Sequence, residues 1–129
     1  MDGVAEATMA EPTGRVLVVE DSALVGMAIE AALADRGFET ILAGSVALAR
    51  VRLGKKPLDA AVLDLRLPDG DTLALARELD ARGCPVAMCT GFGSGLVPSD
   101  YPCVQRFRKP VEAGTVANWV SAVVAERRG

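Results

Sequence analysis

Ala60-Ala61-Val62-Leu63-Asp64-Leu65-Arg66-Leu67-Pro68-Asp69-Gly70 is the stretch on which the reading turns. Its apolar half is short and continuous, as suits a strand covered on both faces. It closes on a carboxylate, and Pro68-Asp69-Gly70 then supplies a turn. Upstream, Val16-Leu17-Val18-Val19 is a second run of this kind and ends on Glu20-Asp21. Downstream, Pro85 to Thr90 ends on a hydroxyl, and Val104 to Phe107 leads into Lys109-Pro110.

Helical patterns alternate with these runs. Ser22 can cap a helix to about Arg36, burying Val25, Met27, Ala28, Ile29, Ala32 and Leu33. Gly37 stops it, and Phe38 to Ala43 alternates as a strand. A helix from about Ser45 to Leu53 follows, with Val46, Ala49, Val51 and Leu53 as its apolar residues. Another starts at Asp71 or Thr72 and runs to Arg82, and a last one spans about Glu112 to Arg127, burying Val116, Val120, Val123 and Val124. Strands alternating with helices predict an α/β fold, a doubly wound parallel sheet. Gly91 to Tyr101 breaks the alternation. Three glycines and Pro98 are costly in a helix interior, so a loop with at most a brief helical turn is expected there.

Of the 129 residues, half are hydrophobic, 24% are charged and 4% are aromatic, with a net charge of −3. That length is one domain. The expected division is a flexible tail over residues 1–13 and a single domain over 14–129, with no further domain. A basic stripe for phosphate contacts is lacking, so direct nucleic-acid binding is not expected. The acidic, polar start has neither a basic lead nor an apolar run, and no stretch is long enough to cross a bilayer. A cytoplasmic chain without membrane insertion is the expectation. The odd, scattered Cys84, Cys89 and Cys103 read as small hydrophobes rather than disulfide partners or zinc ligands. With no histidine in the sequence, Ser-His-Asp and Cys-His catalysis are excluded.

In a sheet of this kind ligands bind at the carboxyl ends of the strands. Glu20, Asp21, Asp64, Thr90 and Lys109 would converge there. Three close carboxylates repel one another unless a cation joins them, and oxygen donors suit Mg²⁺. Asp64 could then attack phosphorus, with Thr90 and Lys109 holding the phosphoryl oxygens.

Taken in order, Val16 to Ser22, Val62 to Gly70, Thr90-Gly91 and Lys109-Pro110 resemble the receiver domain of bacterial two-component response regulators. The resemblance covers nearly everything after the tail. It implies a flavodoxin-like five-stranded sheet of order 2-1-3-4-5. It also implies that Asp64 is the phosphoacceptor, that Asp21 is a direct Mg²⁺ ligand with Glu20 acting through water, and that the Arg66 carbonyl is a further ligand. Thr90 and Lys109 then follow the phosphoryl group, and the Lys109-Pro110 bond is cis. Implied partners are a histidine kinase or histidine phosphotransfer protein and a downstream protein.

Pro85-Val86-Ala87-Met88-Cys89-Thr90-Gly91-Phe92 is similar to the motif of the stand-alone "FAT GUY" receivers, though Val86, Met88 and Cys89 depart from it. In that group the fourth helix is short or irregular. Where many receivers carry an aromatic switch residue, three positions before the lysine, this chain has Arg106, which leaves Phe92 or Phe107 as substitutes, or the loop itself ordering around the phosphoryl group. Two other readings stand beside the switch. One is a phosphatase or phosphotransferase working through an aspartyl phosphate, disfavoured by Arg66 where such enzymes of the haloacid dehalogenase type place a second acid. The other is a degenerate receiver that binds a partner without phosphorylation.

Overall fold

The computed structural model describes residues 12–91, 97–99, 101 and 103–128. Five parallel strands form one sheet: β1 (Gly14–Val19), β2 (Phe38–Ala43), β3 (Ala60–Asp64), β6 (Val86–Thr90) and β7 (Gln105–Arg108), in the order β2-β1-β3-β6-β7. Counting only these five, the order is the expected 2-1-3-4-5. Helices α1 (Ala23–Ala34) and α4 (Ala113–Arg128) cover one face; α2 (Val46–Leu53) and α3 (Leu73–Ala81) cover the other.

The alternation of side chains along β1 shows why its sequence is a continuous apolar run. Val16 and Val18 enter the core with Ile29, Leu33 and Val120, whereas Leu17 and Val19 enter the one with Leu53, Leu75 and Leu79. A central strand between two helical layers has no solvent face on which to place a polar residue. Each such side chain contributes about 1.5–3 kcal/mol by leaving water.

Element ends moved by a residue or two. The first helix stops at Ala34 rather than Arg36, because Asp35 is its cap and Gly37 turns the chain at φ 84°. Its buried face is Gly26, Ile29 and Leu33; Val25, Met27 and Ala28 are exposed, against expectation. The helix carries one charge in twelve residues, so polarity did not mark its inner side. Gly26 did: a Cβ there would stand 3.0 Å from Leu42 Cδ1, a close approach that only glycine allows without a shift. Val51 is likewise exposed on α2, and Val123 only half-buried on α4.

The last strand is displaced by one residue, to Gln105–Arg108, leaving Val104 exposed. After β3 the chain makes a hairpin that sequence reading saw only as a turn: β4 (Arg66–Leu67) pairs antiparallel with β5 (Gly70–Asp71). Among the described residues after Thr90, Val97 to Ser99 and Tyr101 are not helical. Most of the expected loop, including Phe92, lies outside the described residues, as does the tail up to residue 11.

At the sheet edge where β1 and β3 begin, Asp59 ties together the two ends of the described residues, at Arg15 and Arg128. Its Oδ2 accepts the Arg15 N–H at 2.8 Å and its Oδ1 accepts from Arg128 at 3.1 Å. Arg128 also donates to the Thr13 carbonyl.

Candidate functional site

The opposite edge gathers the polar strand ends. Asp64, the last residue of β3, is 5% exposed and Glu20, just beyond β1, is 4% exposed, while Asp21 reaches solvent. One carboxylate oxygen from each of these three lies within 4.8 Å of the others. Lys109 enters from beyond β7 across a cis Lys109–Pro110 bond. Its Nζ donates to Glu20 Oε1 at 2.7 Å and to Asp64 Oδ2 at 3.0 Å.

The remaining contacts fix the cluster from below. Glu20 Oε2 accepts the Ser22 N–H at 2.9 Å, while the Ser22 hydroxyl caps α1 through the Val25 N–H. The Thr72 hydroxyl, fully buried, donates to the Asp64 carbonyl at 2.7 Å. The Lys109 N–H donates to the Thr90 carbonyl at 2.8 Å, which aligns the lysine's segment with the end of β6.

Burial dominates the electrostatics of Asp64. It pushes the carboxyl up, the facing Glu20 pushes further, and Lys109 only partly offsets them, so the group titrates at about 7. Glu20 goes the other way. Burial alone would raise it, but hydrogen bonds from Asp64, Lys109 and the Ser22 amide outweigh that and hold it below the usual carboxylate range. Lys109 loses some basicity to burial and regains more from the two carboxylates, so its ammonium is held above the ordinary lysine value.

This donor set suits a hard divalent cation. With Asp64 ionised, three carboxylates against one ammonium leave an excess of two negative charges, which an ion such as Mg²⁺ would balance with oxygen ligands and room for water. A cavity of ≈ 110 Å³ beside the cluster is lined by Asp21, Asp64, Arg66, Cys89, Gly91 and Lys109. A larger one of ≈ 440 Å³, mainly apolar, opens from Asp64 and Lys109 towards Val25, Ile29 and Val111.

Of the residues expected from the sequence, Glu20, Asp21, Asp64 and Lys109 meet, and Arg66 borders the cavity beside Asp21 and Asp64. Thr90 is half-buried on the same edge but borders a different cavity, of ≈ 430 Å³, with Val97, Ser99, Arg106 and Arg108. Arg106 is fastened there, donating to the Val97 and Pro98 carbonyls at 3.0 Å each. Phe107 packs edge-on against Trp119, with ring centres 6.4 Å apart. Three residues were missed as supports: Thr72, Tyr101, whose hydroxyl donates to the Leu73 carbonyl, and Asp69, whose carboxylate accepts the Val46 and Ala47 amides. Asp69 and Thr72 carried signals, as an acid in a turn and a candidate helix start, and these pointed only to local structure.

Residues 16–97 match the response regulator receiver domain. The chain belongs to that family. It is therefore a receiver domain of two-component systems, with the flavodoxin-like fold. Among curated relatives it is 35% identical over 118 residues to the response regulator protein PilR of Pseudomonas aeruginosa, which covers 88% of this chain and 26% of PilR. It is 40% identical over 90 residues to protein-glutamate methylesterase/protein-glutamine glutaminase 5 of Anaeromyxobacter dehalogenans, covering 67% of this chain and 25% of the relative. The receiver thus spans about a quarter of the length of these relatives. In fold it is similar to a CheY-like receiver domain protein from Methanospirillum hungatei, with a TM-score of 0.76 at 19% identity, covering 88% of this chain and 95% of the other. Among the described residues no helix is long and apolar enough to cross a membrane.

Proposed function

We propose that this receiver is a phosphorylation switch whose acceptor is Asp64. The observation that carries the reading is the pairing of a buried strand-end carboxylate with a lysine ammonium 3.0 Å away and two further acids beside it. An Asp64 oxygen attacks phosphorus and forms an acyl phosphate. The P–N bond of a phosphohistidine on a kinase or phosphotransfer partner breaks, and the leaving imidazole takes up a proton. Lys109 neutralises an oxygen of the transferring group, and its contact with Glu20 keeps the ammonium aimed at the site. Asp21, Asp64 and the Arg66 carbonyl would hold Mg²⁺, with Glu20 acting through water. When bound, the ion supplies charge neutralisation for the phosphoryl oxygens.

The Thr90 hydroxyl completes the set by turning from its present cavity towards the phosphoryl group. That movement is the first step of the readout. Its continuation runs through Arg106, which shares the Thr90 cavity, and not through an aromatic residue at that position.

The test is to incubate the protein with phosphoramidate and Mg²⁺ and weigh it intact. A single phosphoryl adduct is expected, absent with EDTA and absent from Asp64→Asn. An unmodified wild type, or an equal adduct on the variant, overturns the reading.

A further inference from the structure

The hairpin that follows Asp64 has only two residue pairs, Arg66 with Asp71 and Leu67 with Gly70. A ribbon this short does not hold its own shape in water. Its root is secured near Asp64: the Leu65 N–H donates to Cys89 at 2.9 Å, the Thr72 N–H to Leu65 at 3.0 Å, and the Thr72 hydroxyl to Asp64 at 2.7 Å. Its tip is secured by Asp69. One carboxylate oxygen accepts the Val46 amide at 2.9 Å and the other the Ala47 amide at 3.0 Å. These are the first two residues of α2, whose own cap, Ser45, accepts only the next amide, that of Leu48.

Helix-start amides exposed to solvent can be satisfied by water. A clasp through both oxygens of one carboxylate does something water cannot, because it fixes the hairpin relative to a helix packed on the sheet. Arg66 lies between the two anchored ends and borders the cavity beside Asp21 and Asp64. We propose that Asp69 is a positioning residue for the divalent-cation site, holding the Arg66 backbone at that cavity by gripping the start of α2. The proposal rests on the reading of Asp21, Asp64 and the Arg66 carbonyl as cation ligands.

Magnesium affinity is measured by calorimetric titration on wild type, Asp21→Asn, Asp69→Ala and Val46→Pro, with thermal unfolding in EDTA alongside. Residues that orient metal ligands typically change affinity by ten-fold or more when removed, so Asp69→Ala is expected to weaken Mg²⁺ binding about ten-fold. Val46→Pro deletes one of the two donors yet suits the first helical position, and Ser45 before it is extended at φ −151°, ψ 163°. It should weaken binding in the same direction by a smaller factor. A purely structural role for Asp69 would lower the unfolding temperature and leave affinity unchanged, and that result overturns the proposal. Should Asp69→Ala not fold, unchanged affinity in Val46→Pro overturns it instead. If wild type does not bind Mg²⁺, or Asp21→Asn binds it equally well, the cation reading falls and the proposal with it. That pattern is distinct from a failure confined to Asp69.

Discussion

The Lys109 ammonium is closer to Glu20, at 2.7 Å, than to Asp64, at 3.0 Å. Glu20 therefore holds the lysine while leaving it within reach of whatever Asp64 acquires. Lys109→Met removes the only cation that these two buried acids are paired with among the described residues. Breaking one side of a buried pair is costly because the other charge remains. The variant should lose about 1–3 kcal/mol of stability at pH 8 in urea unfolding without Mg²⁺. It should also take up phosphoryl groups from phosphoramidate at least ten-fold more slowly than wild type. A variant that matches wild type in both would separate Lys109 from the chemistry.

Asp64 opposes folding when ionised. Its folded value of about 7 lies above the ordinary 3.8, so the unfolded chain loses this proton at lower pH than the folded one. Its contribution is favourable at low pH, is lost as pH rises from about 4 to about 7, and is flat above. Asp64→Asn abolishes that dependence. Without divalent ions the variant should exceed wild type by about 2 kcal/mol at pH 8, with the gap closing towards pH 4. A constant gap across that range would contradict the assignment.

Arg106 should control the order of the segment that it grips. Its guanidinium and the Tyr101 N–H share the Pro98 carbonyl as acceptor. Arg106→Ala is expected to speed exchange of the Tyr101 amide by about ten-fold, read by native-state hydrogen exchange, with β1 and β3 unchanged. Unaltered Tyr101 protection would show that the latch lies elsewhere.

The thiols should react unequally. Burial pushes Cys84 and Cys89 up to about 12, so a negligible fraction is thiolate at pH 8. Cys103 is half-buried. Iodoacetamide should label one thiol in the native protein and three in urea, with the native label on Cys103 by peptide mass analysis. Rapid native labelling of Cys89 would mean that the cavity beneath Asp64 opens to solvent.

What could be read from the sequence was whatever burial forces on it. A strand covered on both faces has to be apolar, so a carboxylate that ends Val62-Leu63 stands out, and Glu20 and Asp21 were found the same way; Lys109 follows an edge strand of alternating burial and was read from the Lys109-Pro110 pair. The inner face of α1 was legible at Ile29 and Leu33 but not in its first turns, because Ala-Leu-Val-Gly-Met-Ala has no polar side to contrast with it. The third residue of that face, Gly26, sits where an added Cβ would crowd Leu42, a contact between two elements that pattern does not carry. Nor could pattern reveal that Asp69 reaches Val46, more than twenty residues earlier, since such a bond depends on how two elements pack. Thr90 was placed on the right edge, yet which cavity it borders depends on Arg106 holding the chain at Val97 and Pro98.

Asp59, by joining Arg15 and Arg128 beneath the sheet, brings the start of β1 and the end of α4 to the edge away from Asp64. A fluorescent reporter, an affinity handle or a surface tether attached directly at Thr13 or Arg128 therefore leaves from the far side. Immobilised in that way, the protein presents its acceptor outward, and a phosphodonor can approach without meeting the attachment.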